Sequence, residues 1–99
     1  MISKENILHY LTDIKPMLEK QFHVSKIGLF GSFARNEQTD ASDIDLIIEF
    51  APQTENLSEK KEAIQQMVSA HFQRKVDLAR EKYLKPYLKH QILQSAIYA

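Results

Sequence analysis

The sequence has 99 residues, 43% hydrophobic and 26% charged, which is enough apolar content for one core and too much for a disordered chain. Its 13 basic and 13 acidic residues cancel; a free-standing nucleic-acid binder normally carries a basic excess to neutralise phosphates, so no direct nucleic-acid binding is expected. There is no cysteine, which excludes disulfides and thiolate metal sites, and no secretory leader or membrane-length apolar run is legible, so the expectation is a cytoplasmic protein with no membrane association and a single domain over 1–99.

Taken in chain order, Ser3 is a plausible N-cap for a helix carrying Ile7, Leu8, Leu11, Ile14, Leu18 and Phe22 at helical spacing. Pro16 lies inside that pattern, which predicts a kinked helix or two helices in tandem. Residues 26–30 read as a strand running into Gly31-Ser32. Phe33-Ala34-Arg35 then opens a short helix, and Asn36 to Ser42 reads as a loop. Asp43 to Phe50 is the clearest strand, with Ile44, Leu46, Ile48 and Phe50 on one parity and Asp43, Asp45, Ile47 and Glu49 on the other. After a polar link, Ser58 is a candidate cap for a helix carrying Ala63, Ile64, Met67 and Val68. Lys75 to Ala79 reads as a third strand holding Asp77, and a last helix starts near Pro86 with Leu84, Leu88, Ile92 and Ala96 at helical spacing. Tyr83, Tyr87 and Tyr98 read as packing residues. The fold class is α/β (α+β): a short sheet covered by helices.

Charge is uneven along the chain: residues 1–50 hold five Lys/Arg against eight Asp/Glu, and 51–99 hold eight against five. The acidic half contains the one constellation that suggests chemistry. Asp43 and Asp45, two apart on a strand, point to one face roughly 6.5–7 Å apart, a spacing from which both carboxylates reach a divalent cation. Asp77 on a neighbouring strand can join them or take a proton. Gly31 lets backbone approach a phosphate closely, a helix opening at Ser32 would aim N–H groups at it, and Arg35 can reach an outer phosphate oxygen. These parts suit transfer of a nucleotidyl group with two metal ions, Mg²⁺ by abundance. The four histidines show no metal-ligand spacing, and no Walker-type loop or Gly-x-Ser-x-Gly elbow is present.

Gly31-Ser32-Phe33-Ala34-Arg35, ten intervening residues, then Asp43-Ile44-Asp45-Leu46, followed by Lys75-Val76-Asp77-Leu78, resembles the signature of the polymerase-beta-like nucleotidyltransferase superfamily, and the closing Ile92 to Tyr98 resembles its minimal members. The resemblance covers nearly the whole chain. It implies a nucleotidyltransferase fold with a mixed sheet, Gly31 and Ser32 on the triphosphate, Asp43 and Asp45 on the metals, and Asp77 as ligand or base. Family members commonly carry Gly where this chain has Asn36, the next residue most tolerant of positive φ. Minimal members resemble antitoxins that use ATP to place AMP on a tyrosine of a helical HEPN ribonuclease toxin, and that role, with a hetero-oligomeric complex, is what the resemblance implies here. Two other readings stay open: an antitoxin that inhibits by occlusion without catalysis, and a small-molecule (antibiotic-type) nucleotidyltransferase.

Overall fold

The computed structural model describes residues 2–99. Helix α1 spans Lys4–Phe22 and opens with a reciprocal capping box: Asn6 N–H donates to the Ser3 hydroxyl, and Ser3 N–H donates to the Asn6 side chain. The tandem-helix alternative fails, because α1 runs through Pro16 as one element. An interior proline costs about 3 kcal/mol. Ile7 and Leu11 before it and Leu18 after it are all fully buried, each contributing about 1.5–3 kcal/mol, which offsets that cost and holds both halves on the same core.

Strand β1 (Val24–Phe30) leads directly into the one-turn helix α2 (Gly31–Ala34). Strand β2 (Ile44–Phe50) follows the loop, then helix α3 (Leu57–Phe72) and strand β3 (Val76–Arg80). Ser58 does not cap α3. The cap position is Asn56, in the left-handed region at φ 57° and without a side-chain cap bond, so the helix begins before Ser58 is reached. A 3-10 turn at Glu81–Tyr83 precedes helix α4 (Pro86–Ser95), which has proline in its first turn, and a two-residue strand β4 (Ile97–Tyr98) ends the order.

The sheet order is β3-β2-β1-β4. β1 pairs antiparallel with both β2 and β4, and β2 pairs parallel with β3 through the α3 crossover, which makes the sheet mixed. Alternation along β2 divides its two faces. Ile44, Leu46, Ile48 and Phe50 join α1 and α3 in the main core, together with Ile27 and Leu29 of β1 and Val76 and Leu78 of β3. Asp45, Ile47 and Glu49 take the other face. Near its Glu49 end the 3-10 turn packs against β2, while α4 packs against β1 and α2. β4 lies close across Gly28, where a Cβ would come within 2.9 Å of the Ile97 carbonyl oxygen.

Sequence periodicity overstated the burial of the C-terminal segment. No residue of α4 is buried, and Tyr83, Tyr87 and Tyr98 are 70%, 69% and 39% exposed, so these tyrosines are not core packing residues. The reason is geometric: α1 and α3 already fill the buried face, and α4 meets only part of the other.

Candidate functional site

The site is built where β1 ends. Gly31 has φ +75°, and a Cβ added there would meet Asp45 Oδ2 at 2.2 Å and Asp45 Cγ at 3.0 Å. Only glycine therefore lets the turn after β1 close over the Asp45 carboxylate. Phe33, 1% exposed, anchors α2 in the core, and Ser32 beside it stays partly exposed. The turn out of α2 carries Asn36 at φ 57°, the conformation for which asparagine substitutes for glycine, so the departure from the resembled pattern leaves the turn intact. Helix α2 begins at Gly31 rather than Ser32 and is a single turn; the first N–H groups of such a turn have no intrahelical acceptor.

The three aspartates are brought to one end of the open face. Asp45 pairs in register with Asp77 on β3 and with Phe30 on β1, and residues directly opposite on neighbouring strands project to the same side. Asp43 stands just before β2 rather than in it, two residues from Asp45, with its carboxylate 3.8 Å from Lys75 Nζ. Burial, and then the negative charges of Asp77 and Asp43, push the Asp45 carboxyl above the usual carboxylate range, while the cations of Arg35 and Lys75 pull it back. Arg35 is exposed, and its Nε donates to Glu37 at 3.1 Å.

As the side chains stand, no three acidic or imidazole groups among the described residues enclose a metal position. The chemistry of the donors still fits a hard divalent cation: the set is carboxylate oxygen, it is partly desolvated, and the negative charges at Asp43 and Asp77 destabilise the Asp45 carboxylate until a cation joins them.

Sequence reasoning passed over Arg74 and took Lys75 only as the start of a strand. Arg74 Nη1 donates to the Ser42 carbonyl at 2.9 Å and the Thr39 carbonyl at 3.4 Å, and its guanidinium lies 5.7 Å from the Phe33 ring centroid. One side chain thus ties the loop before Asp43 to the helix after Gly31. Ile44 N–H also donates to the Lys75 carbonyl at 2.9 Å. A signal was available: once Asp77 is placed opposite Asp45 in a parallel pair, residues 74 and 75 must fall beside 42 and 43.

Residues 11–99 match the nucleotidyltransferase domain family. A relative from Methanocaldococcus jannaschii, named as a candidate protein adenylyltransferase, is 39% identical over 85 residues, covering 85% of each chain. Among solved structures, a candidate minimal nucleotidyltransferase superposes with TM-score 0.79 at 23% identity, over 97% of this chain and 95% of that one. A toxin–antitoxin structure with AMP-PNP gives TM-score 0.67 at 23% identity, over 98% of this chain and 72% of that one. A complex of a tri-AMPylated Shewanella oneidensis HEPN toxin with its MNT antitoxin gives TM-score 0.57 at 21% identity, over 96% and 66%. At such identities the solved structures establish the fold, and the relative together with the domain match establishes descent: this chain belongs to the nucleotidyltransferase domain family and has the minimal nucleotidyltransferase fold.

Proposed function

We propose that the chain is a metal-dependent protein adenylyltransferase that moves AMP from ATP to a tyrosine hydroxyl of a HEPN-type toxin and thereby acts as its antitoxin. The observation that carries this reading is the seating of the Gly31 turn on the Asp45 carboxylate, with Asp77 in register beside it. A phosphate-approaching turn and a carboxylate cluster in direct contact are what nucleotidyl transfer needs and what a purely structural strand end does not. The M. jannaschii relative, named for the same transfer, supports the reaction class. The partner and the nucleotide are carried over from the toxin–antitoxin structures, one with AMP-PNP and one with an AMPylated HEPN toxin.

In this reading Asp43 and Asp45 hold the cation, with Asp77 as a third ligand or as the proton acceptor. Mg²⁺ bound there supplies charge neutralisation for the triphosphate and the departing pyrophosphate. Backbone N–H groups at Gly31 and Ser32 hold the phosphates, and Arg35 swings from Glu37 to an outer phosphate oxygen. The acceptor oxygen bonds to the α-phosphorus, the bond from that phosphorus to its bridging oxygen breaks, and pyrophosphate leaves with the electron pair. The hydroxyl proton passes to a carboxylate of the cluster. Most of the rate comes from positioning and charge stabilisation.

The test is intact mass of the partner after incubation with this chain, ATP and Mg²⁺, beside Asp43→Asn/Asp45→Asn. AMP-sized increments that vanish in the double variant are the expected result. A tight complex in which the partner's mass never changes would replace this reading with inhibition by occlusion.

A further inference from the structure

The carboxylate cluster has a fourth corner, and it is cationic. Asp45 and Asp77 face each other across the parallel pair of β2 and β3. Ile44 N–H donates to the Lys75 carbonyl at 2.9 Å, which continues the pairing to the start of both strands. Two residues before Asp45 and Asp77 stand Asp43 and Lys75, and residues two apart on an extended chain share a face. In keeping with that alternation, Lys75 Nζ lies 3.8 Å from Asp43 Oδ2. Three carboxylates and one ammonium therefore mark the corners of a single patch. The contact with Asp43 is the only ion pair of Lys75 among the described residues. Its side chain is 71% exposed, so the ammonium can swing on its four-carbon stem.

We propose that Lys75 is a substrate-binding residue: it is the counter-ion of Asp43 in the nucleotide-free protein and turns to a triphosphate oxygen when a divalent cation takes that carboxylate. The proposal rests on the function proposed above and adds a residue to its site. Charge decides the exchange. An ammonium in contact with Asp43 and a divalent cation on the same carboxylate are like charges at close range, so each weakens the hold of the other. A hard cation needs the carboxylate oxygens, whereas a lysine is a mobile point charge that pairs as well with phosphate. The nearest new anion is the triphosphate that arrives with the cation. Topology agrees. Arg35 follows the turn that leaves β1, Lys75 leads into β3, and Asp45 lies on β2 between them. Both cations pull the Asp45 carboxyl back toward its ordinary range, so the charge of each already reaches the position where the phosphates bind.

The experiment compares wild type, Lys75→Met and Lys75→Arg, with Asp43→Asn/Asp45→Asn as the site control. Mn²⁺ binding to the nucleotide-free protein is read from the paramagnetic resonance of the free ion. AMP-PNP binding is read by calorimetry in saturating Mg²⁺. Lys75→Met should take Mn²⁺ about two- to fivefold more tightly, the range that an exposed ion pair sets. It should take AMP-PNP at least about tenfold more weakly, as for a lost charge-assisted hydrogen bond. Lys75→Arg should recover most of the AMP-PNP affinity. Melting temperatures should agree among the Lys75 variants, because the side chain is at the surface. A residue that merely steadied the start of β3 would weaken both ligands together, so the opposite signs are the signature. Weaker Mn²⁺ binding by Lys75→Met, or an unchanged affinity for AMP-PNP, overturns the proposal. If wild type binds both ligands, the site control loses them and Lys75→Met matches wild type, the proposed function stands and the role of Lys75 fails. If wild type binds neither ligand, the proposed function fails and the role of Lys75 falls with it.

Discussion

Gly31→Ala is the most informative single change. The added Cβ would lie 2.2 Å from Asp45 Oδ2 and 3.1 Å from Asp45 Cβ, on a backbone at φ +75°. The left-handed conformation alone costs an L-residue about 1–2 kcal/mol, and displacing the carboxylate adds a further cost of similar size. A total loss of about 2–4 kcal/mol lowers the melting temperature of a domain of this size by roughly 10–30 °C. The two contributions separate in a double-mutant cycle with Asp45→Ala, measured by urea unfolding. Removing the Asp45 carboxylate relieves the clash but leaves the backbone strain, so the two changes should couple by about 1 kcal/mol or more, with the double variant more stable than the single effects sum to. AMP transfer by Gly31→Ala should fall about a hundredfold, the scale of a displacement of about 1 Å at a reacting centre. Additive unfolding energies, or a Gly31→Ala protein with near-normal transfer, would refute the argument that this turn sets the position of Asp45.

Other outcomes follow from the same structure. Arg74→Ala removes two hydrogen bonds and a ring contact; it should lower stability by about 1–3 kcal/mol and speed hydrogen exchange at residues 39–43, with Arg74→Lys recovering part of both. Pro16 is exposed within a continuous helix, so Pro16→Ala should raise the unfolding free energy by about 1–3 kcal/mol, and a neutral or lower melting temperature would mean the helix already tolerates the missing bond at no cost. At Glu49, burial raises the carboxyl pKa, but hydrogen bonds from Lys82 N–H and Arg80 outweigh it and hold the carboxyl below the ordinary glutamate value. A depressed folded pKa contributes stability that is present above the unfolded value and lost as pH falls through the folded one. Wild type should therefore exceed Glu49→Gln in stability at pH 7, and the difference should shrink below pH about 4.5; a difference constant down to pH 3 would contradict this.

The carboxylate cluster was legible because its determinants are local. Period-two alternation in β2 fixes the face that Asp45 takes, Asp43 stands just ahead of that strand, and Gly-Ser at a strand end marks the turn. Asp77 needed one added assumption, that β3 lies parallel beside β2, and the register of Asp45 with Asp77 met it. Arg74 was not visible, since an arginine's role depends on what a long side chain reaches across 32 and 35 residues of sequence. Strand β4 was missed because two residues carry no periodicity; it exists because Ala99 N–H finds the Ile27 carbonyl and Lys15 Nζ reaches the Ala99 carbonyl. The tyrosines misled for the opposite reason: helical spacing of apolar residues says that a face is apolar and leaves open whether this chain covers it.

The parallel pairing of β2 with β3 also has a consequence for the order of events during folding. β1 and β2 form an antiparallel pair joined through residues 31–43, whereas Asp45 meets Asp77 only after the longer link carrying α3 has crossed the sheet. Contacts of larger sequence separation are slower to close and are opposed by chain entropy until they form. Two like charges that meet across such a pair add an electrostatic penalty to that last step. The Gly31 turn and Asp45 are therefore expected to be in place before the cluster is complete, and if they are, added Mg²⁺ should quicken the final docking of β3 more than the collapse that precedes it.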